Sequence, residues 1–272
     1  MNVASNRDIA KARKKKKAAK GQESWFETIK TVFWAVLIAL VVRTFAYEPF
    51  SIPSGSMLPG LLVGDYLFVS KFSYGYSRFS YPWSPKLYSG RILSGTPERG
   101  DVVVFRLPSD PKVDFIKRVI GLPGDRIAIR SGRLVINGQT VERRLVGEMA
   151  DTEGPAPRAV RVYVETFSNG RAHRIWEIGD AGRPGDDTPE YVVPADHYFM
   201  MGDNRDNSCD SRFNRSYNPG GGCPQPMGYV PFENFVGRAS FVLFSSDGSA
   251  EWWEVWKWPF AIRYSRFIAG IE

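Results

Sequence analysis

The chain has 272 residues, 43% of them hydrophobic, which allows one large cored domain or one domain carrying a sizeable insertion. A formal net charge of +7 would suit a nucleic-acid binder, but Lys11, Arg13, Lys14, Lys15, Lys16, Lys17 and Lys20 put seven positive charges within ten residues. The remainder is close to balanced. The charge therefore argues against a basic nucleic-acid face and for a solvated basic tail at residues 1–24.

Residues 25–47 read as a single membrane anchor. Their uncharged run, residues 31–42, is shorter than the roughly 20 residues a spanning helix needs. Lys30 and Arg43 can snorkel to the two interfaces, and aromatic residues stand near both ends. No small-x-small site follows that would mark a cleaved secretory signal; a buried amphipathic helix is the plainer alternative. The basic flank keeps the first 24 residues cytoplasmic and puts everything after Tyr47 outside.

From Glu48 onward the periodicity is that of strands. Residues 66–72, 101–105, 115–120, 126–130, 133–136 and 235–244 each read as one, and Asn137-Gly138 is a hairpin dipeptide. Residues 74–98 form a Ser/Tyr/Pro/Gly-rich loop, and no long helical period follows the anchor. The expected fold class is mainly β, with two core parts at 48–123 and 194–272. Between them, residues 124–193 are more polar, match no motif, and read as an inserted β-rich subdomain. Cys209 and Cys223 enclose the Pro/Gly-rich run Asn218-Pro-Gly-Gly-Gly-Cys223. An oxidising compartment would join them and cytosol would leave two thiols; two cysteines do not decide which. Near the end, residues 251–260 carry Trp252, Trp253, Trp256 and Trp258, either as core or as a membrane-interface belt.

A nucleophile needs a group to take its proton. The only histidines are His173 and His197, isolated from each other, so a Ser/His/Asp triad or a zinc site finds little support and no metal or cofactor is expected. A lysine can serve instead if burial strips its charge. Lys117, set among Phe115, Ile116, Val119 and Ile120, meets that requirement, although taken alone such a lysine is more often a strand-edge snorkel. Ile52-Pro-Ser-Gly-Ser-Met-Leu-Pro59 is a glycine-broken turn presenting Ser54 and Ser56, and by itself it is a common loop sequence.

Four segments in order lift these readings above their plain alternatives. Glu48-Pro-Phe-Ser-Ile-Pro-Ser-Gly-Ser-Met-Leu-Pro59 resembles the nucleophile box of bacterial type I signal peptidases, the Ser/Lys leader peptidases, and stands just after the anchor as it does there. Arg99-Gly-Asp-Val-Val-Val-Phe105 resembles that family's core-strand box, and Phe115-Ile-Lys-Arg-Val-Ile-Gly-Leu-Pro-Gly-Asp125 its general-base box. Met200-Met-Gly-Asp-Asn-Arg-Asp-Asn-Ser-Cys-Asp-Ser-Arg212 resembles its last active-site box. The likeness covers most of residues 48–125 and 198–244.

The resemblance implies a curved, barrel-like antiparallel body with Ser56 as nucleophile and Lys117 as general base. Ser54 would donate to the oxyanion beside the N–H of Ser56, and Ser208 would orient the lysine amine. Asp210 and Arg212 would brace the site as a salt bridge. Phe50, Ile52, Met57, Leu61, Phe115 and Ile116 would line shallow pockets for small residues one and three positions before the cut. The implied reaction is cleavage of Ala-x-Ala-like signal peptides from exported preproteins through an acyl-enzyme, at the outer face of a bacterial inner membrane. The preprotein and the bilayer are the implied partners, with the secretion channel a candidate third. Ser51, Gly60 and Cys209 depart from the pattern. Two rivals stand: a cytosolic self-cleaving Ser/Lys repressor, which the anchor opposes, and a non-enzymatic anchored β-domain, which the Ser56/Lys117 pair opposes.

Overall fold

The computed structural model describes residues 6–81, 84–85, 88–151, 157–179, 182–219, 223–251 and 253–271, with side chains from residue 25 onward. Helix α1 (Asn6–Phe45) runs through the basic tail and the apolar segment without a break. Its part Trp25–Phe45, 21 residues with none of them buried, is long and apolar enough to cross a bilayer. Residues 6–24 of the basic tail are helical, as the high helix propensity of Lys, Arg and Ala allows. The helix also stops at Phe45 instead of Tyr47, because Tyr47 and Glu48 pair with Ser70 and Val69 and Pro49 cannot continue a helix.

Residues 46–272 form a separate unit. Its strands run β1 (Tyr47–Ser51), β2 (Asp65–Ser70), β3 (Val102–Arg106), β4 (Asp114–Gly121), β5 (Arg126–Arg130), β6 (Arg133–Ile136), β7 (Gln139–Thr140) and β8 (Glu142–Asp151). They continue with β9 (Arg158–Thr166), β10 (Ala172–Glu177), β11 (Tyr191–Val192), β12 (His197–Met201), β13 (Val230–Pro231), β14 (Phe235–Ser245) and β15 (Ala269–Gly270). The six expected strands are β2 to β6 and β14, each within two residues of its expected bounds. Helix α2 (Trp258–Ala261) is a single turn.

The main sheet has the order β1-β2-β14-β3-β4-β12-β13, with β15 also on β14. Its strands come from residues 47–121 and 197–270, and neighbours are antiparallel. Val102 to Phe105 are all buried, so β3 has core on both faces and reads as an unbroken apolar run. Three register shifts along β14 bend this long strand and curve the sheet. At one of them β14 presses so closely on β2 that a Cβ on Gly237 would lie 2.4 Å from the Ser70 carbonyl oxygen. On one face Tyr74, Val103, Phe105, Val119, Met200 and Phe235 pack together. Ile52, Met57, Leu61, Leu67, Val102 and Val242 pack on the other, beside Ile116.

Residues 126–192 make two smaller sheets, β11-β5-β6-β7 and β10-β9-β8. Asn137 and Gly138 join β6 to β7 with φ of 53° and 79°, the doubly left-handed geometry of a type I′ turn. The 74–98 loop is tied down by Arg91, whose guanidinium donates to the carbonyls of Tyr74, Gly75, Phe232 and Phe235. The tryptophan-rich segment is surface, not core: Trp256 is 66% and Phe260 86% exposed, and Trp253 and Trp258 are exposed as well. Trp252 lies outside the described residues.

Candidate active site

After Ser51 the chain leaves β1 and enters a short 3-10 turn, Gly55–Met57. Met57 is fully buried between Ile52 and Leu61, worth about 2 kcal/mol of apolar burial, and this pins the turn with Ser56 half-buried beside a cleft. A second strap comes from the loop after β12. The Asn204 backbone N–H donates to the Ser56 carbonyl at 3.1 Å, and its Nδ2 donates to the Gly55 carbonyl at 3.1 Å. Gly202 makes the approach possible: a Cβ there would lie 2.5 Å from the Ser56 carbonyl oxygen and 2.3 Å from Ser208 Oγ. Neither Asn204 nor Gly202 was picked out from the sequence. Their signal, a glycine and an amide inside a polar box, is shared by ordinary loops.

Lys117 sits on β4 opposite Val103 and is only 3% exposed. Its Nζ donates to Ser56 Oγ at 2.7 Å and to the Ile116 carbonyl at 3.1 Å. Burial lowers its pKa from 10.5 to about 8; Asp210 and Asp203 oppose the shift and Arg212 adds to it. The amine is therefore within about one unit of losing its proton at neutral pH, poised beside a hydroxyl.

Two buried ion pairs frame this dyad. Arg212 donates from Nε and Nη2 to Asp210, each at 2.9 Å, and Nη2 also donates to the Arg205 carbonyl. Burial alone would push the Asp210 carboxyl up, but Arg212 and the Gly202 N–H hold it below the usual carboxylate range. Arg118 grips Asp203 with bonds of 2.8 and 2.7 Å and donates to the Gly100 carbonyl. Gly60 packs beneath Asp203, where a Cβ would come within 3.1 Å of its carboxylate, which accounts for the glycine at that unexpected position. The cleft itself holds about 590 Å³ and is lined by Ser54, Ser56, Phe115, Ile116, Lys117 and Ser208, among others.

The sequence pattern of the family described as signal peptidase, peptidase S26 matches residues 25–244. The chain belongs to this family. Curated relatives named signal peptidase I from Rickettsia canadensis and Rickettsia typhi are 41% and 40% identical to it. They align over 83% and 84% of this chain and 81% and 84% of their own. A crystal structure of a signal peptidase I from Enterococcus faecalis V583 is 23% identical, covering 53% of this chain and 97% of that one, with a TM-score of 0.29.

Within this family member, Ser56 and Lys117 meet, and Asp210 and Arg212 form the expected salt bridge. Not all of the other expected site residues line the cleft. Ser208 lines the cleft near Asp210, whose carboxyl it helps to hold down, while the lysine amine donates to Ser56 and the Ile116 carbonyl. Of the six pocket residues only Phe115 and Ile116 line the cleft. Ile52, Met57 and Leu61 are core beneath it, because the turn at Ser56 points them inward, and Phe50 packs against Val69, Val104 and Val236. Ser54 is on the cleft wall with its side chain exposed. Cys209 and Cys223 are disulfide-bonded, with Cα atoms 5.2 Å apart, so Cys209 ties the last box to the 218–223 loop. His197 bonds the Ala195 carbonyl, and His173 is buried against Phe167; neither lines the cleft. Among the described residues no group of His, Cys, Asp and Glu could hold a metal.

Proposed function

We propose that the chain is a membrane-anchored serine endopeptidase that removes signal peptides from exported preproteins, with Ser56 as nucleophile and Lys117 as general base. The 2.7 Å contact between Lys117 Nζ and Ser56 Oγ, in a pocket that brings the amine pKa to about 8, carries this reading. The relatives' shared name, signal peptidase I, supports the substrate class.

Neutral Lys117 takes the Ser56 proton as Oγ attacks the scissile carbonyl, forming a tetrahedral oxyanion and then an acyl-enzyme. Lys117 gives that proton to the leaving amine and afterwards deprotonates the water that releases the acyl group. The Ser56 N–H opens a 3-10 turn, where such groups lack an acceptor within the turn, and with the Ser54 hydroxyl it would hold the oxyanion. β12 reaches along β4 only to Arg118, opposite Met201. That leaves residues 114–117 an edge on which an extended peptide could lie. Because Met57, Ile52 and Leu61 already fill the space below Ile116, a depression there would be shallow and suit a small side chain. The basic N-terminal run favours a cytoplasmic N-terminus, which puts residues 46–272 on the outer face of the inner membrane.

Incubation of the full chain with a preprotein tests the assignment. Ser56→Ala and Lys117→Ala should each cut cleavage at least about a thousandfold while leaving the thermal midpoint close to that of the parent. Full-rate processing by either variant would overturn it.

A further inference from the structure

The proposed chemistry makes no use of the strands between residues 158 and 177, yet these strands hold the loop that straps the nucleophile turn. We propose that β9 and β10 are a clamp for residues 203–206, and that Glu165 is its positioning residue, acting through Arg205. The inference rests on Ser56 being the nucleophile.

The clamp has three jaws. The Trp176 N–H donates to the Asp203 carbonyl at 2.9 Å, Asp206 accepts from the Ile178 N–H at 2.6 Å, and Arg205 grips Glu165 between them. That last pair is buried on both sides, with Glu165 at 0% and Arg205 at 4% exposure. Arg205 Nη1 donates to one carboxylate oxygen at 3.1 Å, Nη2 donates to the other, and Nε has no hydrogen-bond partner. The guanidinium thus depends on Glu165 for its side-chain hydrogen bonds. His173 and Phe167 stack beside the pair, with His173 Nε2 3.6 Å from Glu165, and burial keeps that ring neutral. The carboxylate is walled from water.

Asn204 lies inside the clamp and is the residue that bonds the Gly55 and Ser56 carbonyls. The path from Glu165 to the nucleophile turn is therefore Glu165, Arg205, Asn204 and Ser56, each link a hydrogen bond or a peptide bond. The backbone bonds of Trp176 and Ile178 fix the loop's height against β10. Arg212 holds the Arg205 carbonyl, but the hydrogen bonds of the Arg205 guanidinium, which also lines the cleft, all go to Glu165. Without the carboxylate, a buried cation is left unpaired and must turn towards the cleft or solvent, drawing Asn204 with it. A nucleophile displaced by a fraction of an ångström loses rate rather than binding.

The full-length chain in detergent, turning over a purified preprotein, supplies the test. In Glu165→Gln, kcat should fall about tenfold or more with KM within about twofold, and Glu165→Asp, which keeps the charge, should recover part of the loss. If Glu165→Gln does not fold, Glu165→Gln combined with Arg205→Met leaves no unpaired charge. That double variant should regain the parent's thermal midpoint but not its kcat. A lowered midpoint with unchanged kcat in the single variant, or recovery of both in the double, would reduce the pair to a structural one and overturn the clamp. Ser56→Ala in parallel separates the two readings: if it still cleaves, the nucleophile assignment fails; if it is inactive while Glu165→Gln runs at full kcat, only the clamp fails.

Discussion

A lysine in water keeps its proton to about pH 10.4, so a lysine that works as a base near neutrality must be denied its hydration. Lys117 is buried, with its amine against Ser56 Oγ rather than water. The rate of preprotein cleavage should accordingly rise with pH as the neutral amine forms, with kcat/KM half-maximal near pH 8. A profile still climbing through pH 10 would show a hydrated amine. The same shift bears on stability. The folded pKa lies below the unfolded one, so between about pH 8 and 10.5 the unfolded chain holds more protons, and stability rises with pH across that window. Below it, carrying the charged amine in the fold costs about 3 kcal/mol.

The element that decides the geometry is the loop from Gly202 to Ser208, because it touches the Ser56 turn on one side and β10 on the other. Gly202→Ala should lower kcat about tenfold or more, since a Cβ would meet both the Ser56 carbonyl and the Ser208 side chain. Steady-state kinetics beside a thermal melt would check it, and an unchanged kcat would show that the loop has slack. Strands were legible in the sequence because alternation and apolar runs are local: β4 and β14 came within one residue of their expected ends. The loop was legible only as a polar box. Which of its side chains face Ser56 depends on how β12 and β10 approach one another, and that is why the sequence does not single out Asn204.

Over the whole molecule, Trp25–Phe45 belongs to a unit separate from residues 46–272. The latter carry their own exposed aromatic segment in Trp253, Trp256, Trp258 and Phe260. Large exposed apolar side chains grouped in one short segment are unusual on a freely soluble surface, and tryptophan favours the headgroup region. The body made without residues 1–45 should still bind liposomes, and serine at Trp253, Trp256 and Phe260 together should remove most of that binding in a flotation assay. Equal flotation of the parent and the triple variant would show that this segment does not meet lipid.

The sequence by itself determined the apolar helix long enough to span a bilayer, the β character of the body, and the ordered boxes that carry Ser56 and Lys117, because span length, side-chain alternation and short box motifs are all written within a few residues. Tertiary structure alone decided the rest. Ile52, Met57 and Leu61 are as apolar as any pocket wall, and only the folded structure shows that they pack together as one buried cluster. The inserted strands became a grip on residues 203–206 because where a side chain ends up depends on contacts between residues far apart in the chain, and no local pattern records those.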